Sequence, residues 1–461
     1  MIAQHARRHA IAFMLLSLAL NCAMAMDTNP PANADGLTLG EAIRMAQAHN
    51  PGYQSAVTAR DVAGADYAAT HGERLPRVEL FGSYLYSPIE DKRLIPRALL
   101  EDVSPAERFD SQIATLGARL SYPLYTGGSV EARTEAARLG IDMAGFVARK
   151  TRQDLVLDVT RAFYDVLLIE RVIEANQQGV DELEEAHRMV KALFDNGRAP
   201  RLDLLRVETR LAAVRQALIR TQSAHETGVA RLRRLIGIED DAAPLRLQGD
   251  LMFQDPIPSS LDSDALFQRA LDARPAYQAA QTAIAQQRQR VAAARGAGLP
   301  QVGLEAAYLD AAGLAHGSSP RNDATLSLTL TQRLFDGGAI RSRADRENAR
   351  LLQLRQRLDD LRLQIRFEID AAVEAVREAA ARVHNTETAV TSAEEALRDE
   401  QLKLESGKGI INDVLLAQTD TLQAEVEHAT ARADYRIAVA ALARAAGQSL
   451  PDEQKNQEVG Q

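Results

Sequence analysis

The sequence has one cysteine, no tryptophan and few aromatic residues, which make up only 4% of its 461 residues. The cysteine, Cys22, lies close to the amino terminus, so the remainder of the chain can form neither a disulfide nor a cysteine-based metal site. The nine histidines are scattered and show no H-E-x-x-H or comparable metal-ligand spacing. The sequence therefore offers no candidate metal site.

Features of nucleotide and nucleic-acid binding are also missing. The formal net charge is −9, which argues against a nucleic-acid partner. The stretch GAGLPQVG, beginning at Gly296, contains spaced glycines but opens a strand pattern instead of a helix, so it is not a phosphate-binding loop. We expect a protein that is not an enzyme, that uses no cofactor and that binds no nucleic acid.

Residues 1–25 are typical of a secretory signal peptide. Arg7 and Arg8 precede an apolar run from Ala10 to Leu20, and small residues lead to a cleavage site after Ala25. The apolar run is too short to span a bilayer as a helix, which disfavours the alternative of a membrane anchor. We therefore predict an exported protein.

Two questions remain open for an exported chain of this kind: whether it carries a lipid, and whether it enters a membrane. Cys22 would serve for lipid attachment if the signal were that of a lipoprotein, although Asn21 stands where such signals have a small residue. No later run reaches the length of a transmembrane helix. The mature protein is then either soluble or inserted into a membrane as a β-barrel.

The chain contains a tandem internal repeat. LPRVELFGSYLY at Leu75 matches LPQVGLEAAYLD at Leu299, an offset of 224 residues. Further along, DNGRAPRLDLL at Asp195 matches ESGKGIINDVL at Glu405, an offset of 210. The change of 14 falls in a longer loop of the first copy, about residues 88–109, where insertions are tolerated.

The repeat divides the chain into four parts. We predict a signal peptide over residues 1–25, a first repeat over 26–255, a second repeat over 256–450 and a disordered tail over 451–461. Each repeat is expected to read helix, strand, loop, strand, long helix, turn, helix. The sequence thus predicts a mixed α/β fold.

Four runs of about ten residues alternate between apolar and polar side chains. Their apolar faces are Val78, Leu80, Tyr84 and Tyr86; Leu116, Ala118, Leu120, Tyr122 and Leu124; Val302, Leu304, Ala306 and Tyr308; Leu326, Leu328 and Leu330. Alternation of this length is typical of membrane β-strands, but it also suits an antiparallel sheet that packs on a core. Alternation alone leaves both possibilities open.

The helical stretches carry a seven-residue repeat of apolar residues. Ile369, Val376, Val383 and Val390 stand seven apart, and the positions 210 residues earlier keep the same phase. A sustained seven-residue period predicts helices that supercoil around each other. The stretch of residues 131–195 contains no proline, so it would form a helix on the order of 100 Å long.

Paired glycines mark the passage from strand to long helix in each repeat. Gly127 and Gly128 follow the first pair of strands, and Gly337 and Gly338 follow the second. Glycine permits a positive φ and a sharp change of direction. Because four strands cannot close a membrane barrel, whose smallest examples have about eight, the barrel would have to be shared between chains, and three chains would supply about twelve strands.

The order of these motifs resembles the TolC family of outer-membrane efflux and secretion channels. The resemblance rests on the LP-x-V-x-L strand starts, the L-[YF]-x-GG junctions and the helical turns, and it covers about Leu37 to Gly447. It implies a homotrimer with a twelve-stranded barrel in outer-membrane lipid and a long periplasmic α-helical coiled-coil barrel. It further implies a periplasmic adaptor and an inner-membrane RND or ABC transporter as partners.

The resemblance also implies two kinds of functional residue. The turns of the helical hairpins would dock the adaptor; their residues are Asn196, Gly197 and Arg198, and Ser406, Gly407 and Lys408. Both glycines would equally serve to end a helix. Acids that follow the turns, Asp413 and its repeat counterpart Asp203, would form the periplasmic gate, and the helix dipole alone also favours acids there.

The gate departs from the family pattern. Leu416 stands at the position of the family's second acid, Gly409 at that of its gate arginine and Leu404 at that of its gate tyrosine. The resemblance implies a passive exit duct for efflux or type I secretion, which would conduct small molecules, ions or polypeptides, and it leaves the cargo open. The alternative is a structural or adhesive trimeric coiled-coil surface protein, which accounts for the heptads and the signal peptide but requires no lipid-facing strands.

Overall fold

The computed structural model describes residues 36–86, 112–239, 245–249, 251, 261–313, 321–406 and 408–448. The predicted signal peptide, the longer loop of the first repeat and the predicted tail lie outside these residues. Across the described part of the chain, no helix combines the length and the apolar character needed to cross a bilayer.

The same order of elements occurs twice. The first half contains α1 (Leu39–His49), α2 (Pro51–Gly72), β1 (Arg77–Tyr86), β2 (Gln112–Tyr125), α3 (Ser129–Asp195) and α4 (Arg201–Ile236). The second half contains α5 (Ser263–Ala273), α6 (Pro275–Gly296), β3 (Gln301–Gly313), β4 (Arg321–Thr331), α7 (Ala339–Glu405) and α8 (Ile411–Ala445). The elements before the strands repeat at the offset of 224 residues, and those after the strands repeat at 210.

Two helices precede the strands in each half, where the sequence pattern predicted one. α1 begins with a capping box, in which Thr38 accepts a hydrogen bond from the backbone of Glu41 and donates one to its carboxylate. The helix ends because Asn50 precedes a proline and adopts an extended conformation. Pro51 then opens α2, whose first turn Asn50 caps through Tyr53.

The four strands form one antiparallel sheet in the order β1-β2-β3-β4. Within the described residues, the strands form extensive contacts only with one another, and residues on both faces of β1 are exposed. This finding decides between the two possibilities left by the alternation, because a sheet that packs on a core would bury one face. The sheet instead presents an apolar face to its surroundings.

α3 and α7 each contain 67 residues, so each is about 100 Å long. Much of the predicted seven-residue seam is buried: Ile369, Val376 and Val383 are at most 6% exposed, Val159 and Val166 are fully buried, and Val390 is half-buried. α4 folds back along α3, and α8 folds back along α7. Each half therefore forms a long helical hairpin with a strand hairpin at its other end.

The two halves are joined by helix packing and by a half-buried ion pair. α3 packs against both α6 and α8 of the second half. Arg444 of α8 binds Asp154 of α3, with 2.6 Å between its Nη2 and the carboxylate Oδ1. A second ion pair stabilises the second half itself: Arg274, which directly precedes α6, is 6% exposed and binds Glu368 of α7 at 2.6 Å.

Candidate duct, gate and docking tips

The sheet has an apolar face of membrane type. Val78 and Leu80 of β1 and Leu326 and Leu330 of β4 are between 70% and 78% exposed. They share their face with Leu120, opposite Val78 in the register of β1 and β2. So large an apolar exposure in one face indicates contact with another surface, and the strand length suits a lipid bilayer.

The outer edges of the sheet carry no partner among the described strands. β1 pairs with β2, and β4 pairs with β3, so the free edge of each faces away from the sheet. Unpaired backbone groups at a strand edge cost several kcal/mol each in lipid. A membrane environment therefore requires another chain at both edges.

The strand-to-helix junctions have the conformation that their glycines predict. Gly127, Gly128, Gly337 and Gly338 have φ between 65° and 85°, and Gly128 and Gly338 are the N-caps of α3 and α7. In this left-handed region a residue with a Cβ is strained. The second junction is reinforced by Asp336, whose carboxylate accepts hydrogen bonds from the backbone of Gly338 and Ile340.

The turn between α3 and α4, which we call the first tip, closes with a glycine cap. The amide of Gly197 donates to the carbonyl of Phe194, and the amide of Arg198 donates to that of Leu193. Gly197 has φ 70°, and the side-chain amide of Asn196 donates a hydrogen bond to the carbonyl oxygen of Ala192 at 2.7 Å. The Arg198 side chain is exposed at the end of the hairpin.

The turn between α7 and α8, the second tip, has a similar cap. Ser406 donates its hydroxyl to the carbonyl of Lys403 at 3.0 Å, and the amides of Lys408 and Gly409 both donate to the same carbonyl at 2.9 Å. Ser406 and Lys408 are exposed. Gly407 lies outside the described residues.

The two predicted gate acids occupy equivalent positions in the first turns of α4 and α8. Asp203 is half-buried and lies 3.6 Å from Arg206, whereas Asp413 is exposed. Their amides donate to Pro200 and Ile410, the residues that precede the helices. Asp203 thus has a basic neighbour within its own helix, and Asp413, although exposed, adds its charge to those of Glu400 and Asp399 near Lys403.

The structure brings the two tips together. Val207 and Leu211 of α4 share a buried cluster with Ile411 and Leu415 of α8. Beside it runs a groove of about 510 Å³, whose exposed apolar residues are Leu202, Leu205 and Leu416. The sequence analysis missed this groove, because its residues come from two helices more than 200 residues apart. Leu416 was one sequence signal of the groove, because this leucine stands at a position where the family has an acidic residue.

An acidic cavity of about 330 Å³ lies where the two helical hairpins meet. Glu182 of α3, Glu394 of α7 and Glu425 of α8 line it, and the Gln418 amide nitrogen is 3.5 Å from a Glu182 oxygen. Burial raises the pKa of Glu425, and the charges of Glu394 and Glu182 raise it further. The sequence analysis did not identify this cluster, because its three glutamates come from three different helices.

The described residues contain no group of three His, Asp, Glu or Cys side chains arranged to hold a metal ion.

The predicted site residues fall at three levels of the molecule: junction glycines below the sheet, acids near the far end of the hairpins and exposed polar residues at the tips. These features define a membrane channel subunit, in which a sheet continues directly into the wall of a long helical duct.

Comparison with known proteins gives the family. The family model described as "Outer membrane efflux protein" matches residues 42–238 and 266–448, which is most of the chain. The chain therefore belongs to the outer membrane efflux protein family. The predicted resemblance to TolC-type channels is confirmed, and the protein is an outer-membrane exit duct.

Relatives extend over nearly the whole chain. Protein CyaE of Bordetella pertussis is 26% identical over 438 residues, which cover 91% of this chain and 86% of CyaE. Alkaline protease secretion protein AprF of Pseudomonas aeruginosa is 23% identical over 423 residues, with coverage of 90% and 85%. These matches include both repeats.

Solved structures share the fold. The CmeC outer membrane channel of Campylobacter jejuni superposes with a TM-score of 0.78 at 18% identity, covering 91% of this chain and 88% of CmeC. At this identity the likeness shows the fold alone. It confirms the predicted architecture, in which each chain contributes four strands to a barrel that continues as a helical duct.

Proposed function

We propose that three copies of this chain form a passive duct through the outer membrane and the periplasm. The observation that carries the proposal is the sheet, which has an exposed apolar face and two edges without a partner among the described strands. Closing the sheet around a threefold axis satisfies both edges and turns the apolar face toward lipid. The helical hairpins of about 100 Å then continue the barrel as a tunnel.

The tips are proposed to dock a periplasmic adaptor, which links the duct to an inner-membrane RND or ABC transporter. Support comes from the exposed polar residues Arg198 and Lys408, from the capped turns beneath them and from the apolar groove beside them. A groove with apolar walls and basic ends suits an amphipathic helical hairpin with acidic ends. The transporter supplies the energy for transport.

Asp413 is proposed to line the periplasmic entrance. In a trimer, three exposed carboxylates would surround the axis and favour cations over anions. Asp203, with Arg206 of the same helix close to it, would instead belong to the segment that holds the closed state. The latch residues of the family pattern are absent here, and Arg206 is the basic residue that contacts Asp203 at the entrance.

We propose that the cargo is either small molecules or a polypeptide, depending on the transporter that is engaged. The name of AprF refers to protease secretion, and that of BepC of Brucella suis, 24% identical over 343 residues, refers to efflux. Deleting the chain in its native cell separates the two. Increased sensitivity to small toxic compounds indicates efflux, and a polypeptide missing from the culture medium indicates secretion.

The duct itself is tested by purifying the chain from outer membranes and recording conductance in planar bilayers. We expect a homotrimer in detergent that conducts ions. A monomeric rod released from the cell surface, without conductance, would contradict the proposal and favour the structural or adhesive alternative.

Docking is tested by photo-crosslinking in the native cell, with the reactive residue at Arg198 or Lys408. We expect both positions to capture an adaptor. Ile219, in the middle of α4 and 60% exposed, serves as the matched control that should capture no adaptor. If Ile219 captures the adaptor and the tips do not, the docking assignment is wrong although the duct stands.

A further inference from the structure

We propose a specific register for the strand pair that joins neighbouring copies. β4 of one copy pairs antiparallel with β1 of the next, so that Leu328 lies opposite the partner subunit's Tyr84 and Arg333 lies opposite the partner subunit's Glu79. This inference rests on the proposed homotrimer. It goes further, because it fixes which residues meet at the joint between copies.

The first support is that both repeats build the same strand hairpin. In the first repeat Arg77 pairs with Ser121, and in the second Gln301 pairs with Thr331. These pairs are related by the two repeat offsets, 224 for the first strand and 210 for the second. The hairpin is therefore one structural unit that the chain uses twice.

The second support is that the chain already contains one joint between two such units. β2 of the first repeat pairs with β3 of the second, with Ala118 opposite Tyr308 and Pro123 opposite Gly303. A closed ring of six equivalent hairpins repeats this joint between β4 of one copy and β1 of the next. Applying the same offsets places Leu328 opposite the partner subunit's Tyr84.

The apolar face tests this register independently. Leu328 and Tyr84 belong to the exposed apolar faces of β4 and β1, at 68% and 61% exposure. In the proposed register the two apolar faces continue into each other. A slip of one residue would turn the whole apolar set of β1 to the opposite face, so the pattern excludes odd slips.

The end of β4 supplies a third observation. β2 continues to Tyr125 because its last residues pair with β3, beyond the reach of β1. The equivalent residues after β4 are 332–335, and there Leu334 and Phe335 are 89% and 88% exposed. In the proposed register the partner subunit's β1 pairs with this segment, which would extend β4 to the length of β2.

Charge is complementary at the same place. Arg333 follows β4, and Glu79 lies in β1; both are exposed. The register sets them directly opposite each other, and opposite charges in facing positions stabilise a strand pair. Their counterparts inside the chain, Pro123 and Gly303, carry no charge, so this ion pair would distinguish the joint between copies from the joint within one.

The glycines below the sheet extend the joint to the helices. Within the chain, a Cβ at Gly296 would lie 2.6 Å from the carbonyl oxygen of Gly127. The repeat counterparts, Gly72 and Gly337, have no atom within 4 Å of the same position. Gly72 is helical and needs no glycine for its backbone, so we infer that it packs against the partner subunit's Gly337.

Disulfide trapping tests the register, because the chain has no cysteine other than Cys22. In a Cys22→Ser background, Leu328→Cys with Tyr84→Cys should give covalent trimers upon mild oxidation, since facing Cα atoms are within disulfide reach. The control pair, Leu328→Cys with Tyr86→Cys, moves one partner about 7 Å along the strand and should give about tenfold less.

A second control, Ala118→Cys with Tyr308→Cys, places the pair at the equivalent joint inside one chain and should close within the monomer. If the shifted pair forms covalent trimers more efficiently, the register is wrong although the duct stands. A wild-type chain that is monomeric in outer membranes would overturn the register and the proposed function together.

The glycine contact has its own matched variants. Gly72→Ala should weaken the trimer, whereas Gly64→Ala on the same helix should not, although both positions are equally open in one copy. The readout is the temperature at which trimers dissociate in detergent gels. Equal behaviour of the two variants would overturn the proposed packing of Gly72 on the partner subunit.

Discussion

Gly127 and Gly296 meet through their backbones: a Cβ on Gly127 would lie 2.3 Å from the carbonyl oxygen of Gly296, and a Cβ on Gly296 would lie 2.6 Å from that of Gly127. The first glycine ends the strand pair of the first repeat, and the second ends the short helix α6 of the second repeat. This contact fixes the angle at which the sheet continues into the helical duct.

The first prediction follows from this contact. Gly296→Ala inserts a methyl group between two backbone segments, close to the carbonyl oxygen of Gly127 and the amide of Ser129, neither of which can move by a side-chain rotation. We expect a loss of about 1–3 kcal/mol in the free energy of unfolding, as for an overpacked core. Unfolding of the purified protein, followed by its helical signal, measures it.

Gly145→Ala is the control for this variant. Gly145 lies inside α3, and no atom lies within 4 Å of the place that a Cβ would take, so alanine should raise stability there by up to about 1 kcal/mol. The two substitutions are chemically identical and should change stability in opposite directions. Destabilisation of similar size in both would contradict the role given to the Gly127–Gly296 contact.

The second prediction concerns the buried ion pair between Arg274 and Glu368. The side chain of Arg274 is only 7% exposed, and its guanidinium lies 2.6 Å from the carboxylate of Glu368. Arg444 lies 3.9 Å from the same carboxylate. Glu368→Gln removes the negative charge from this acceptor and leaves the buried guanidinium without it. We expect a loss of about 2–3 kcal/mol in the free energy of unfolding.

Glu135→Gln provides the matched control, because Glu135 binds Arg138 at 2.7 Å in a pair that is largely exposed. Its loss should cost less than about 1 kcal/mol. Chemical denaturation of both variants under the same conditions compares them. If the two costs are equal, burial does not strengthen the pair between Arg274 and Glu368.

The elements were predictable from the sequence because their signals are local. Alternation gave the strands around Val78 and Leu328, the seven-residue period gave the buried seam through Ile369, and glycine pairs gave the junctions. α1 and α2 were predicted as one helix, since the break between them depends on a single dipeptide, Asn50–Pro51.

Contacts between distant helices were not predictable in the same way. Gly296 meets Gly127, and Leu416 shares a groove with Leu202, only because the two repeats pack side by side. No periodicity within one helix encodes its neighbour. The repeat itself carried part of this information: Gly72 and Gly296 occupy the same repeat position, and a glycine kept at the end of two equivalent helices indicates a close backbone approach.

The third prediction concerns the acidic cavity. Burial, Glu394 and Glu182 raise the pKa of Glu425 above that of an unfolded chain. The protonated form is thus favoured in the folded state, and stability from this group is present below the unfolded pKa and lost as pH rises through the folded pKa. Arg210 and Arg398 also line the cavity.

Glu425→Gln removes this dependence. We expect the variant to be more stable than the wild type at about pH 7, and the difference to disappear as the pH falls below the unfolded-chain pKa of about 4.3. Glu395→Gln, an exposed position on α7 outside the cavity, should show no such convergence. Thermal unfolding across this pH range decides. A Glu425→Gln variant that is less stable at neutral pH would contradict the argument.

The fourth prediction separates the two roles open to Asp413. If the exposed carboxylate lines the entrance of a threefold duct, Asp413→Asn removes three negative charges from the axis and lowers the preference for cations. The reversal potential in a salt gradient across a planar bilayer measures this preference. If Asp413 serves only the helix terminus, selectivity stays the same and stability falls by about 0.3–1 kcal/mol, because the carboxylate no longer balances the positive end of the dipole.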